Sequence, residues 1–550
     1  MCGISGIWNK NSEVEVSGMM DLMTHRGPDA RGMFICPDNN GVLGHTRLSI
    51  MDPEGGDQPI YSEDKSKAII ANGEIYNFPK LHPELARKHT FSTTSDSEAI
   101  LHLYEEHGPS LVNQLDGMFT FAIADGSDIM LARDPIGIKS LYYGNCNGQL
   151  MFASELKAIA PYCDDINEFM PGTYYHSKEG FKTFYSVPDL QPDSSVSIED
   201  YIKEIRETLE VAVVKRLMSD VPVGAFLSGG LDSSLICAIA RKHLPELHTF
   251  SVGLEGSPDI EAARIVSRHL DTIHHEYILT PKELEDKLPE IIYYLESFDQ
   301  DLVRSAFPCY FTSKIASDYV KVILTGEGAD ELFAGYTYYK DILNETLLHN
   351  ELRRSVSSLH NINLQRVDRM TMAHSIEGRV PFLDLTMIEL GQRVPAAYKL
   401  RGNPPVEKWI LRKAFEDLLP HDIVWRKKAQ FDEGSGSADL LEETLSSAMS
   451  ESEAHTYRSR WPDILLRSPE ECHYHKLFME VFENPGPLLK NVGRWSERPG
   501  ELYFNHKGPR IRGCKVPMGQ LPFSGLQGSS EKHSLFFTWV WNPCPLDSFL

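Results

Sequence analysis

Cys2 stands directly behind the initiator methionine, and a cysteine there is small enough for that methionine to be removed. Removal leaves a thiol and a free α-amine on one residue. The amine titrates at roughly 7.7 to 8.0, so it can take the thiol proton and serve as general base for its own nucleophile. A cysteine at position 2 is also compatible with a plain small buried residue. A second chemical pattern lies at Ser228-Gly229-Gly230-Leu231-Asp232-Ser233-Ser234, between an apolar β-type run (Val223 to Leu227) and a helical one. Its two glycines let the backbone approach a phosphate, and the hydroxyls of Ser228, Ser233 and Ser234 can donate. The following helix N-terminus adds oriented N–H groups, which completes an anion cradle. It is not the GxxxxGK[ST] loop that grips β and γ phosphates, and its bland alternative is an ordinary Ser-Gly turn.

The elements that must position these groups come in two styles. From Cys2 to about Tyr185 short β-type runs dominate (GISGIW, KAIIANGEIYNF, GMFTFAIAD, SDIMLARD, SLYYG), with one helical pattern at Ser97 to His107. Many strands and few helices predict an α+β layered domain. Val187 to Ser197, rich in Pro, Ser and Asp, reads as a linker. Beyond it, Ile202, Ile205, Leu209, Val213 and Leu217 mark one helical face. Strands at Val223 to Leu227, Thr249 to Leu254, His275 to Leu279 and Val320 to Leu324 then alternate with helices. That alternation predicts a doubly wound parallel sheet with its ligands at the carboxyl ends of the strands. The stretch from about Arg494 to Leu550 has no sustained period and predicts no fold.

The chain has 550 residues, too many for one core, and 41% are hydrophobic, which excludes general disorder. With 78 acidic against 54 basic side chains its net charge is −24, which argues against nucleic acid or an acidic membrane as partner. No run approaches the roughly 18 to 20 apolar residues of a membrane span, and the start lacks a secretory pattern, so a cytoplasmic location is expected. The nine cysteines include no CxxC pair. Apart from Cys2 they read as buried small residues or surface thiols rather than disulfide or zinc ligands.

The strings CGISGI, HRGPD (His25 to Asp29), GHTRLSI (Gly44 to Ile50), ANGEIYN (Ala71 to Asn77), SDSE (Ser95 to Glu98), LDGMFTFAI and ARDPIGIKSLYY resemble the class II glutamine amidotransferases. That resemblance implies an N-terminal-nucleophile αββα sandwich that hydrolyses glutamine to glutamate and ammonia. It places Cys2 as nucleophile, with Asn72 and the Gly73 N–H as oxyanion hole. The implied glutamine-binding set is Arg47, Leu48, Ser49, Ile50, Met51, Asn72, Gly73, Glu74 and Asp96. Arg47 clamps the α-carboxylate there, and Asp96 with Glu74 takes the α-ammonium group. Taken alone, Arg47 and Asp96 would read as structural ion-pair residues.

SGGLDSS resembles the pyrophosphate loop of the ATP pyrophosphatases (adenine nucleotide alpha hydrolase-like), which cut between the α and β phosphates. This implies Asp232 and Asp330 as ligands of Mg²⁺, Asp330 standing in LTGEGADELFAGY. It also implies Leu227, Ser228, Gly229, Gly230, Asp232, Ser233, Val252, Thr325 and Gly326 around ATP, with Glu327 catalytic. Lys428, in WRKKAQF, matches a lysine set on the reacting phosphates; alone it would read as a solvated surface charge. RVDRMTMAHSIEGRVPFLD and KWILRKAF extend the match. Together the halves resemble the glutamine-hydrolysing asparagine synthetases, with a glutaminase domain at 2–186, a linker at 187–197, a synthetase domain at 198–493 and an atypical tail at 494–550. The implied substrates are L-aspartate, L-glutamine and ATP, joined through a β-aspartyl-AMP intermediate; oligomeric state stays open, a homodimer included. The alternatives are a related amide-forming enzyme (β-lactam synthetase-like or peptide-modifying) and a non-catalytic nitrogen-sensing protein.

Overall fold

The computed structural model describes residues 2–37, 40–428, 434–436, 441 and 448–495; the tail from 496 lies outside the described residues. The first 183 residues build two six-stranded sheets, antiparallel throughout. One runs in the order Ile166–Glu168, Tyr142–Cys146, Gln149–Ala153, Gly3–Trp8, Gly41–Arg47, Ala30–Ile35. The other runs Gly180–Thr183, Thr173–His176, Asp128–Arg133, Gly117–Asp125, Lys67–Ile75, Ile60–Tyr61. Ile4, Leu43, Ile70, Ala122, Leu131 and Phe152 fill the space between them. The helix Glu13–Leu22 covers the outer face of the first sheet, and Asp96–His107 that of the second, giving four layers in the order αββα. Central strands therefore have both faces covered. Gly3–Trp8 and Gly41–Arg47 are buried at every position, and Lys67–Ile75 at every position but Lys67 and Gly73, not at alternating ones.

No strand or helix is formed between Thr183 and Ile198. The amphipathic helix Ile198–Lys215 then buries Ile205, Leu209 and Val213 against a five-stranded parallel sheet unit. Its strand order is Ile273–Ile278, His248–Gly253, Val223–Phe226, Val322–Leu324, Glu377–Arg379. Sequence order reverses between the third and fourth of these. The loops leaving Val223–Phe226 and Val322–Leu324 thus diverge and open a crevice at the strands' carboxyl ends. The edge strand Glu377–Arg379 and the helices Glu13–Leu22 and Phe78–Leu85 are additions to the sequence reading.

Two expectations are corrected. Cys146 and Cys163 form a disulfide, with Cα atoms 5.8 Å apart. Pairing of Ile166 with Gly144 folds the chain back so that these two positions face each other, a proximity that spacing alone does not reveal. Cys36, Cys237, Cys309 and Cys472 are buried, as expected for small apolar residues. Arg494 and Trp495, assigned to the tail, pack onto the second half: Arg494 pairs with Glu471 at 3.0 Å, and the Trp495 N–H donates to Asp299 at 3.1 Å. Among the described residues no helix is long and apolar enough to cross a membrane.

Candidate active sites and the helix between them

Cys2 enters the first sheet at the start of Gly3–Trp8 and is buried, 8% exposed. Its backbone N–H donates to Asn72 Oδ1 at 2.9 Å. That bond uses the amide oxygen, so that Asn72 Nδ2, buried and without a hydrogen-bond partner, is left as a spare donor on a side chain held to Cys2. A Cβ on Gly73 would lie 2.0 Å from the Met118 carbonyl oxygen, so the strand can pass this close only as glycine. Burial pushes the Cys2 thiol above its ordinary value, which makes an adjacent base a requirement for nucleophilicity.

The implied glutamine set surrounds this point. Leu48 O lies 3.9 Å from Cys2 Sγ, and the Ser49 N–H donates to Asp29 at 2.8 Å. Leu48 and Ile50 pack with Val322 and Met372 of the second half, and Met51 lies against the same cluster. Arg47 is nearly buried; Nη1 reaches Asp57 at 2.7 Å, and Nη2 reaches the carbonyls of Met51 and Asp52 at 3.2 and 2.6 Å. In this arrangement Arg47 organises the 51–57 loop, and the largely exposed Asp57 carboxylate holds Nη1 through one oxygen. Asp96, first residue of its helix, accepts from the Ile75 N–H at 2.5 Å, and burial pushes its carboxyl up to about 6. Glu74 is likewise raised, by burial and by Asp96 beside it. Two desolvated carboxyls held together favour a bound cation, as an amino acid's ammonium group would supply.

The second crevice is lined by Leu227, Ser228, Gly230, Asp232, Ser233, Val252, Thr325, Gly326, Glu327, Asp330 and Lys428, which brings together all of the implied nucleotide set except Gly229. Gly229 sits behind the loop, against Ala262 and Ala263. Ser228 and Ser233 bond each other at 3.1 Å, and the helix Leu231–His243 starts at the loop, aiming its first N–H groups into the crevice. A Cβ on Gly326 would come within 2.9 Å of Asp232 Cβ, so glycine lets the two loops touch. Asp232 and Asp330 are bridged by Lys408, whose Nζ is 2.5 Å from both, and Lys428 lies 2.8 Å from Asp330. Burial alone would raise the Asp330 carboxyl; Lys408 and Lys428 outweigh it and hold it well below the usual range. Asp232 Oδ1 remains buried without a hydrogen bond, and two carboxylates with a spare oxygen suit a hard cation such as Mg²⁺. Glu327 is paired with Arg366, and Trp495 closes one wall, edge-on to Tyr336 at 5.4 Å between ring centres.

Lys408, Arg366, Arg379, Arg26 and Asp368 lie within strings quoted from the sequence, yet residue types gave them no role. The ten-residue helix Asn363–Met372, buried along its whole length, explains three of them. Residues two apart point about 200° apart around a helix, so Arg366 reaches Glu327 in the crevice while Asp368 faces the first half. There Arg26 takes Asp368 bidentately at 2.9 and 3.1 Å and donates through Nε to the Cys2 carbonyl at 3.1 Å. Arg379, on the edge strand, stands 3.2 Å from Glu74.

A glutamine amidotransferase domain matches residues 1–205, and an asparagine synthase domain matches residues 204–347 and 340–473. Asparagine synthetase B, glutamine-hydrolysing, of Escherichia coli K12 is 39% identical over 511 residues, covering 88% of this chain and 92% of that one. Glutamine-hydrolysing asparagine synthetase 2 of Arabidopsis thaliana is 39% identical over 510 residues, 88% of each chain. The corresponding enzyme 2 of Oryza sativa is 39% identical over 520 residues, 90% of this chain and 88% of that one. Matches to the two domains in this order, with identity at this level along nearly the whole described length, place the chain in the family of glutamine-hydrolysing asparagine synthetases.

Proposed function

We propose that this chain converts L-aspartate and L-glutamine to L-asparagine and L-glutamate in the cytoplasm, cleaving ATP to AMP and pyrophosphate. The observation that carries the reading is the pairing of a buried N-terminal cysteine, with a spare amide donor beside it, to a phosphate-type crevice whose wall shares one helix with it. In the first site the Cys2 α-amine, freed by loss of Met1, takes the thiol proton. The thiolate attacks the glutamine carboxamide carbon, Asn72 Nδ2 and the Gly73 N–H hold the oxyanion, and ammonia leaves. Water then releases glutamate. Loss of one oxyanion donor typically costs about 100- to 1,000-fold.

In the second site the aspartate β-carboxylate attacks the α-phosphorus of ATP, forming β-aspartyl-AMP and releasing pyrophosphate. Leu227, Val252, Thr325 and Gly326 hold the nucleoside, and the 228–233 loop holds the phosphates. Asp232 and Asp330 would hold Mg²⁺, which when bound neutralises charge on the leaving pyrophosphate. Lys428 and Lys408 place compact positive charge at the same point, and Glu327, oriented by Arg366, faces the reacting carboxyl. Ammonia from the first site then displaces AMP from the acyl carbon. Arg47, with the loop it orders, binds the glutamine carboxylate, and Asp96 with Glu74 binds its ammonium group.

The test is pyrophosphate release and amide formation from ATP with a panel of amino acids, using glutamine or ammonium as nitrogen donor. Aspartate alone among the acceptors should support both, with either donor. Adenylation of a different carboxylic acid, with aspartate inert, would overturn the assignment.

A further inference from the structure

We propose a zinc-type divalent-metal site in the first half, built from His89, His102 and Glu105, at the far end of the helix that begins with Asp96. Ligand atoms of these three side chains all lie within 4.8 Å of one another. His102 Nδ1 is 2.9 Å and His89 Nδ1 3.6 Å from the same oxygen, Glu105 Oε2. A tetrahedral zinc ion with bonds of about 2.0 to 2.1 Å sets its ligand atoms about 3.3 Å apart, between those two distances. The ring nitrogen of His89 that faces this point is buried and has no hydrogen-bond partner.

The outer nitrogen of His89 carries the strongest argument. His89 Nε2 meets Glu106 at 3.2 Å, and His102 Nε2 faces Glu98 at 3.6 Å. The carboxylate on the distal nitrogen of His89 fixes its proton there and leaves Nδ1 as a lone-pair donor, the usual arrangement behind metal-bound imidazole, whereas His102, whose Nε2 has no hydrogen-bond partner, would exchange its 2.9 Å Nδ1–Glu105 hydrogen bond for the metal. Glu98 is itself anchored, accepting from the backbone and hydroxyls of Ser92 and Thr93 at 2.6 to 2.9 Å. Glu63 Oε2, 3.9 Å from His89 Nδ1, can supply a fourth oxygen from the neighbouring turn. Two imidazoles and a carboxylate favour Zn²⁺ over Mg²⁺ or Ca²⁺.

Such an ion would staple the loop that carries His89 and Ser92 to Thr94 onto the helix Asp96–His107. Glu105 lies nine residues beyond Asp96, about 14 Å along the axis, so the ion would be structural and apart from the glutaminase chemistry. The competing arrangement is a protonated His102 between Glu98 and Glu105, with no metal.

The full-length protein, without an affinity tag and stripped with chelator, would be titrated with Zn²⁺ and with Co²⁺ as an optical probe. The Cys2→Ala variant serves as the host, because a free N-terminal thiol and amine bind metals themselves. One Zn²⁺ per chain is expected in that host, with a visible Co²⁺ absorption of four-coordinate intensity and a melting temperature that rises with metal concentration. His89→Ala, on the outer side of the cluster, should abolish the stoichiometric binding and the Co²⁺ band. Glu106→Gln should keep the ligands and weaken binding about 10- to 100-fold. Because buried His102 variants can fail to fold, Glu105→Gln is the second ligand test, expected to remove the Co²⁺ band in a protein of native circular dichroism. Absence of Zn²⁺ binding in the host, or undiminished binding in His89→Ala and Glu105→Gln, would overturn the site in favour of the protonated histidine.

Discussion

Arg26 and Asp368 form a bidentate ion pair, at 2.9 and 3.1 Å, in which neither side chain is more than 2% exposed. It links the carbonyl of Cys2 to the helix on which Arg366, two residues before Asp368, holds Glu327. Breaking a buried pair by neutralising one partner is costly, about 3 to 5 kcal/mol, because the other charge is left without compensation. Asp368→Asn is therefore expected to lower the melting temperature. It should also raise the glutamate formed per asparagine while sparing ammonia-dependent synthesis more than glutamine-dependent synthesis. Equal loss of both activities in a folded variant would mean that the pair is structural alone.

Cys2→Ala should abolish glutamate release and glutamine-dependent synthesis and leave ammonia-dependent asparagine formation in place, since only the first site uses the thiol. Loss of the ammonia-dependent reaction to the same extent, in folded protein, would contradict two separable sites.

Lys408 was invisible as chemistry in the sequence, yet its Nζ sits 2.5 Å from both Asp232 and Asp330. Lys408→Met should reduce pyrophosphate release by about 100- to 1,000-fold with either nitrogen donor, the scale on which removing one charge-stabilising donor acts. Asp232→Asn should do the same. Glutaminase turnover should persist in both variants. Near-wild-type pyrophosphate release from Lys408→Met would reduce the lysine to a packing role.

What the sequence made legible was local chemistry and period. CGISGI and SGGLDSS keep their groups within a few residues, and the strands from Val223 to Leu324 announce themselves by apolar runs. The edge strand Glu377–Arg379 did not, because it is three residues long and charged at both ends. Its burial rests on compensation for its charges: Arg379 meets Glu377 of the same strand at 2.6 Å and Glu74 at 3.2 Å, and the second pair exists only after the two halves meet. Lys408 and Asp368 are of the same kind, since their partners lie 176 and 342 residues away. The Cys146–Cys163 pairing likewise depended on strand register. Helix Glu13–Leu22 was missed because only Val16, Met19 and Met20 mark its buried face.

Asp96 gives a pH test with a defined sign. Burial raises its carboxyl from 3.8 to about 6, so the folded state binds that proton more tightly than the unfolded chain. Its contribution to stability is fully present below pH 3.8 and is lost as pH rises through about 6, an effect of about 2 to 3 kcal/mol. Asp96→Asn should then raise thermal stability at pH 7.5, with a gain that shrinks as pH falls from 6 and vanishes near 4. The same change should raise KM for glutamine. A stability gain independent of pH would show that the carboxyl does not titrate in this window.

The C-terminal boundary of the second site is set by two residues that the sequence assigned to the tail. Trp495 lines the crevice and meets Tyr336 edge-on at 5.4 Å, while Arg494 stacks over Phe298 at 4.8 Å and pairs with Glu471. Every group assigned to chemistry lies before residue 429, so truncation after Trp495 should leave pyrophosphate release and glutaminase activity within about twofold of the full chain, as expected for changes remote from the reacting groups. Truncation after Gly493 removes the wall and takes the Arg494 guanidinium from Glu471 and Asp299, both fully buried, while their pairing with Arg467 stays. That shorter protein should bind ATP more weakly and melt at a lower temperature, with glutaminase turnover retained. Comparing KM for ATP in the two truncations isolates Arg494 and Trp495 from the rest of the tail. Equal KM values would mean that the indole wall contributes nothing to nucleotide binding, and loss of pyrophosphate release in the longer truncation would mean that residues beyond 495 complete the site.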